Sequence, residues 1–273
     1  MTKIAFVGNW GQSPKELLKR YSKQTPGNSG VWHDIIGVPS IADADYNVIM
    51  EESNLELSQE NTISIKREPR YISSHVPNYK HVISWDDTNC GSTWWINKSY
   101  DELKAMKYPT KSNKISCVAS SRHSHRSEYL KSLFKEPSPI HLYGRGHDPL
   151  YYGSNYKGPL EYDGSCKFLG ITNYEYSIAM ENSQQKNYFT EKLADVYLSW
   201  SVPIYWGAPN LGEYFPKESF HLIDMIHKNP IEQIEEIINR PIDLNALSKA
   251  RNIILDEINI WEVVRKKIEE IRI

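Results

Sequence analysis

Tyr174-Glu175-Tyr176-Ser177-Ile178-Ala179-Met180-Glu181-Asn182-Ser183 is followed, four residues later, by Tyr188-Phe189-Thr190-Glu191-Lys192 and then by Val202-Pro203-Ile204-Tyr205-Trp206-Gly207. The first segment reads as a buried strand ending in polar residues, the second as a helix opening with Thr-Glu-Lys, and the third as a strand stopped by glycine. Together they form one βαβ unit. Open α/β sheets bind ligands beyond the carboxyl ends of their strands, and a helix N-terminus offers free N–H groups to an anion. A phosphate-bearing ligand is therefore expected along residues 181–192.

Outward from this unit, the second half of the chain continues the alternation. Strands are expected at 115–119, 140–143 and 220–223, and helices at 127–134 and 231–238. From Leu244 onward there is no proline or glycine, and Ile254, Ile258, Trp261, Val264, Ile268 and Ile271 recur at steps of three or four. That stripe predicts one long amphipathic helix packing to close the last domain. The first half has strand patterns at 4–7, 46–50, 62–66 and 81–85, with Ser13-Pro14 capping a helix over 15–21 and a second helix over 99–106. The polar, proline-containing run 108–113 separates the halves, giving Rossmann-like domains over residues 1–110 and 114–273.

A chain of 273 residues with 40% hydrophobic residues can build two modest cores. Lys+Arg 32 against Asp+Glu 34 gives a net charge of −2, so no long-range attraction to nucleic acid or acidic lipid is expected and any basic site is local. Eight tryptophans and eighteen tyrosines suit a cleft that stacks on rings or sugar faces, although most belong to the cores. Cys90, Cys117 and Cys166 form no paired motif and are odd in number, which speaks against a zinc site or a disulfide framework and for a reducing compartment. Residues 1–8 read as a first strand stopped by Gly8 and not as a signal peptide, and no run is long enough to span a membrane. The expected location is cytoplasmic, or that of an excised soluble catalytic domain.

Taken one by one, Arg122, Arg126, Arg145 and Lys192 fall near predicted strand ends, where a diphosphate would sit. Gly144-Arg145-Gly146 is too short for a dinucleotide fingerprint. Thr190 and Glu191 fit helix capping and the helix dipole. His123, His125, His141 and His147 match no metal-ligand spacing, and Asp43, Asp45, Asp86 and Asp87 read as turn and strand-end carboxylates.

Residues 176–183, 188–192 and 202–209, in that order and spacing, resemble the signature of the α1,3-fucosyltransferases, glycosyltransferase family ten: an aromatic strand ending Glu-Asn-Ser, then Tyr-x-Thr-Glu-Lys, then Val-Pro-x-x-x-Gly-x-Pro. More weakly, Ser120-Ser121 with Arg126, Tyr129 and Leu133, His141–Gly144, and Glu68-Pro69 followed by 79–86 are similar to flanking segments of the family. The chain departs from the pattern where Glu68 and Pro69 adjoin with no small residue between them, and where Asn187 stands in place of a frequent aspartate. Residues 1–60 match by fold order alone.

The resemblance implies an α/β fold of GT-B type, with two Rossmann-like domains facing across a cleft, GDP-fucose on the second and a glycan acceptor on the first. It implies inverting transfer of fucose, to a GlcNAc-containing or related glycan, with no cofactor and no metal. Arg126 and Lys192 would neutralise the diphosphate, Tyr188 and Glu191 would hold ribose or fucose hydroxyls, and Glu181 and Asn182 would line the donor pocket. Glu68 would be the general base, with Glu51 and Glu52 as competing carboxylates. Another nucleotide sugar, or a non-catalytic glycan- or nucleotide-binding relative, are the alternatives.

Overall fold

Short apolar strands buried on both faces need helices on each side, and the chain builds two such layers. The computed structural model describes residues 1–273 except 9, 10, 52, 70–78, 122, 123, 135–137, 162–164 and 227; for 124–126 and 165 it describes the backbone only. The first sheet contains β1 (Thr2–Val7), β2 (Val31–Trp32), β3 (Ile35–Gly37), β4 (Tyr46–Met50), β5 (Thr62–Lys66) and β6 (His81–Ser84), in the order β2-β3-β1-β4-β5-β6. All its pairings are parallel except β2 with β3. The second sheet, wholly parallel, contains β7 (Asn113–Val118), β8 (Ile140–Tyr143), β9 (Tyr174–Met180), β10 (Val202–Trp206) and β11 (His221–Leu222), in the order β11-β10-β9-β7-β8. Continuous burial along β4, β5, β9 and β10 is what a sheet covered on both faces requires.

The helices are α1 (Pro14–Ser22), α2 (Tyr100–Ala105), α3 (Ser124–Ser132), α4 (Pro149–Tyr152), α5 (Ser165–Thr172), α6 (Glu191–Leu198), α7 (Pro230–Ile238), α8 (Leu244–Asn252) and α9 (Ile260–Arg272). Capping boxes start two of them: Glu16 answers Ser13 at α1, and Glu102 answers Ser99 at α2. Among the described residues, no helix is long and apolar enough to cross a membrane.

The single C-terminal helix expected from 244 onward is instead two. After α8 a π-helical turn, Ile253–Glu257, ends as Ile258 leaves helical geometry and Asn259 caps the next helix through Trp261 N–H at 3.0 Å. Asn259 Nδ2 holds the carbonyls of Gln24 and Leu255, each at 2.9 Å, and Ser92 pairs with the opened backbone on both sides. Tertiary hydrogen bonds from the first domain thus interrupt a sequence that is periodic throughout.

α9 does not close the last domain. Ile260, Trp261, Val264 and Ile268 complete the first core, where Trp261 meets Phe6 edge-on at 5.1 Å and donates to Tyr21 O at 2.9 Å. Conversely Trp94, Ile96 and Leu103, which precede the 108–113 run, pack in the second core.

Candidate active site

In the second sheet the chain leaves β7 toward β8 on one side and returns to β9 on the other, so a crevice opens between the carboxyl ends of β7 and β9. A cavity of about 380 Å³ lies there, within the size of small-molecule sites. Ala119 and Ser120 after β7, Gly144 and Arg145 after β8, Met180 at the end of β9, and Glu191 and Lys192 at the start of α6 border it. Gly144 is required at this corner. Its φ is +139°, and a Cβ would lie 1.7 Å from the Ala119 carbonyl oxygen.

The floor of the crevice is a set of charges packed against one another. Glu181, with no exposed surface, accepts from Thr190 N–H at 2.8 Å and from Thr190 Oγ1 at 2.7 Å, tying the end of β9 to the N-cap of α6. Thr190 Oγ1 in turn accepts from Lys192 N–H at 3.3 Å. Lys192 Nζ, 21% exposed, stands 3.2 Å from Glu191 and 3.5 Å from Glu181.

Burial pushes the Glu181 carboxyl upward against the pull of Lys192. At Glu191 burial acts the same way, but Lys192, Lys167 and Arg67 together overcome it and hold the carboxyl at about 2. The neighbouring cations therefore favour Glu191 as an ionised acceptor for hydroxyl groups over a proton donor.

Two of the residues expected to bind a donor, Glu191 and Lys192, line the crevice directly. Glu181 lies beneath it and Asn182 follows half-buried. Tyr188 is buried at the seam between the sheets, edge-on to Trp85 at 6.2 Å. Burial raises its phenol far above the ordinary range, with the carboxylates of Glu181 and Glu68 adding to the rise from the two sides of the seam. Arg126 has its backbone in α3, but its side chain is outside the described residues, as are Arg122 and His123 entirely and the side chain of His125. His141 bonds Tyr174 OH at 2.8 Å and His147 the Ala119 carbonyl at 2.7 Å, both in structural roles. No cluster of three or more His, Cys, Asp or Glu able to hold a metal exists among the described residues.

On the first-domain side, Glu68 is half-buried, with its carbonyl accepting from Trp85 Nε1 at 3.0 Å. Glu51, 4% exposed at φ +76°, turns its Oε2 onto the N–H groups of Arg67 at 2.5 Å and Glu68 at 2.9 Å. Burial raises the Glu51 carboxyl while those two donors oppose the rise. Glu52 lies outside the described residues. Asn187 is a bridge: Nδ2 donates to Trp85 O at 3.0 Å, and Oδ1 accepts from Asn210 Nδ2 and Tyr214 OH, each at 2.8 Å.

The sequence reading did not single out Lys167, Asp195, Arg67 or Trp95. Asp195, fully buried on α6, pairs with Lys167 of α5 and accepts from Trp95 N–H at 2.8 Å, so it places both at the cavity rim. Lys167 sits on a helix whose short sequence carries Gly170 and no amphipathic stripe. Arg67 had one signal, its place beside Glu68.

Residues 108–240 match the family described as glycosyltransferase family 10 (fucosyltransferase), C-terminal part. An alpha-(1,3)-fucosyltransferase of Helicobacter pylori is 34% identical over 73 residues, 27% of this chain, and the chain covers 15% of that protein's length. An alpha-(1,3)-fucosyltransferase of Drosophila melanogaster is 30% identical over 128 residues, 45% of this chain and 28% of its own length. A crystal structure of an alpha1,3-fucosyltransferase superposes with a TM-score of 0.59 at 16% identity, covering 99% of this chain and 89% of that one. At that identity the superposition carries the fold alone. The chain has the GT-B architecture, and its resemblance to glycosyltransferase family 10 holds over residues 108–240.

Proposed function

We propose, from the family match of residues 108–240, that the chain is a glycosyltransferase that moves L-fucose from GDP-β-L-fucose to a glycan hydroxyl with inversion and without a metal. The observation that carries this reading is the cluster Thr190-Glu191-Lys192, joined by Lys167 and Arg145, at the switch point of the matching domain. As the bond from the sugar to the diphosphate breaks, negative charge gathers on the leaving oxygens. Fixed cations there stabilise the transition state more than the ground state, in the place a divalent ion would otherwise take. Glu191, held ionised, accepts from donor hydroxyls. By the family resemblance Arg126 would complete the phosphate set, and Glu181 and Asn182 would shape the pocket wall.

Inversion takes one displacement, with a base on the opposite face of the sugar removing the acceptor's proton. Glu68, on the first-domain side of the seam, takes that role. Glu51 is better suited to positioning it, because its Oε2 already holds the backbone of 67 and 68. A base and a leaving group on different domains make the rate depend on how the domains close. The acceptor is a GlcNAc-containing glycan.

Calorimetric titration with GDP-fucose, GDP-mannose, UDP-galactose and GDP, with and without EDTA, tests the donor. EDTA-insensitive binding of GDP and GDP-fucose alone is expected, and preference for another nucleotide sugar overturns the fucose assignment. Glu68→Ala should lower turnover by on the order of 10²–10⁴-fold while donor affinity stays within a factor of about two; unchanged turnover removes Glu68 from the mechanism.

A further inference from the structure

A second cavity, of about 520 Å³, opens beside the donor crevice between α1 and residues 93–98. Trp95 borders both cavities and is 48% exposed, and Arg67 closes the inner end next to Glu68. A molecule lying in this groove therefore ends at the seam where transfer would occur. In a chain of net charge −2, the groove gathers five cations against the single carboxylate of Glu16. Lys19, Arg20 and Lys23 come from α1, joined by Arg67 and Lys98.

Glu16 caps its own helix through Ser13 N–H at 2.8 Å, and of the five cations Lys98 is already paired, with Glu102 at 3.0 Å. Lys23 donates to the neutral Asn97 Oδ1 at 2.9 Å, and the Arg20 guanidinium lies 5.1 Å over the Trp95 ring.

We propose that this groove is an acceptor subsite for an acidic saccharide, one carrying a carboxylate or a sulfate or phosphate ester near the residue to be fucosylated. The inference rests on the glycosyltransferase reading above. The Trp95 ring stacks on a sugar ring, and Lys19 and Arg20 meet the anion.

The full chain is titrated with GDP-fucose, which tests the donor reading by itself, and separately with matched neutral, uronic-acid and sulfated oligosaccharides. The same acceptors are then compared in transfer. The acidic acceptors should be preferred by on the order of tenfold in kcat/KM, the effect of one hydrogen bond to a charged group. That preference should sit mainly in KM and shrink as salt is raised. The Lys19→Gln/Arg20→Gln double variant should bring the acidic-to-neutral ratio toward one, whereas general damage would lower both rates together and weaken GDP-fucose binding. Comparing the uronic-acid and sulfated arms identifies the anion.

Donor binding with equal use of neutral and acidic acceptors overturns the subsite, as does a ratio unchanged in the variant. If GDP-fucose fails to bind, the donor reading falls; salt-sensitive binding of the acidic saccharide, lost in the variant, still supports the groove, and its absence overturns that too. Tighter binding of duplex DNA than of any acidic saccharide overturns the saccharide assignment.

Discussion

Glu181 and Glu191 come from one short motif and do opposite work. Glu181 is sealed under the crevice and spends its oxygens on Thr190, while Glu191 reaches the rim and is kept ionised by Lys192, Lys167 and Arg67. The motif stands out in the sequence, but nothing in its spacing says which carboxylate faces out, because that depends on how α6 meets the end of β9. The folded pKa of Glu191 lies below its unfolded value of about 4.3, so its contribution to stability is present above that pH and is lost as pH falls toward 2. Glu191→Gln should therefore be less stable than wild type by up to about 3 kcal/mol at neutral pH, with the difference shrinking steadily between about pH 5 and 2. Urea melts at a series of pH values measure this, and a gap independent of pH would show that the cations do not act through the Glu191 charge.

At the scale of elements, strong local patterns were read correctly. β4, β5 and β8 fall at the predicted residues, since each is a short run rich in β-branched, aromatic or other large apolar residues. β2 and β3, two and three residues long and joined through His33 at φ +51°, lie below the length at which a period can be recognised. α5 was missed for lack of a stripe, and Lys167 was missed with it. α6 is expected from its Thr190-Glu191-Lys192 opening, but Asp195 on the same helix carries no signal, because acidic residues within helices are mostly solvated.

Asp195 instead holds α5 and the 93–98 segment to α6. Asp195→Ala should cost about 2–4 kcal/mol, because it strands Lys167 and the Trp95 N–H together. Asp195→Asn keeps an acceptor for Trp95 and should lose less. Guanidinium denaturation separates the two variants, and equal losses would mean that the Trp95 bond contributes nothing.

On the scale of the molecule, the chain crosses its own boundary twice. Trp94, Ile96 and Leu103 enter the second core, and α9 returns to fill the first. Tyr188 from the second half also packs in the first core, and Asn187 bonds across the seam to Trp85. The two sheets should therefore unfold as one cooperative unit. Trp261→Ala, more than two hundred residues from β1 in sequence, should destabilise by about 3–5 kcal/mol through the cavity it leaves. Hydrogen exchange should then accelerate first in β1 and α1. Acceleration confined to the second sheet would contradict the packing of α9.

The sequence by itself determined the α/β class, two largely parallel sheets, the βαβ unit around 174–206 and the polar turn that leads into its helix. These follow from local rules: hydrophobic period, capping and glycine stops act over a few residues and leave a readable pattern. Only the tertiary structure decided that a periodic C-terminal stretch breaks at Asn259, that Glu51 serves as an anchor for residues 67 and 68, and that Lys167 and Trp95 converge on one crevice while Arg67 lines the cavity beside it. Those outcomes depend on contacts between segments far apart in the chain. Burial and hydrogen bonding between such segments override local preference without altering the pattern from which that preference is read.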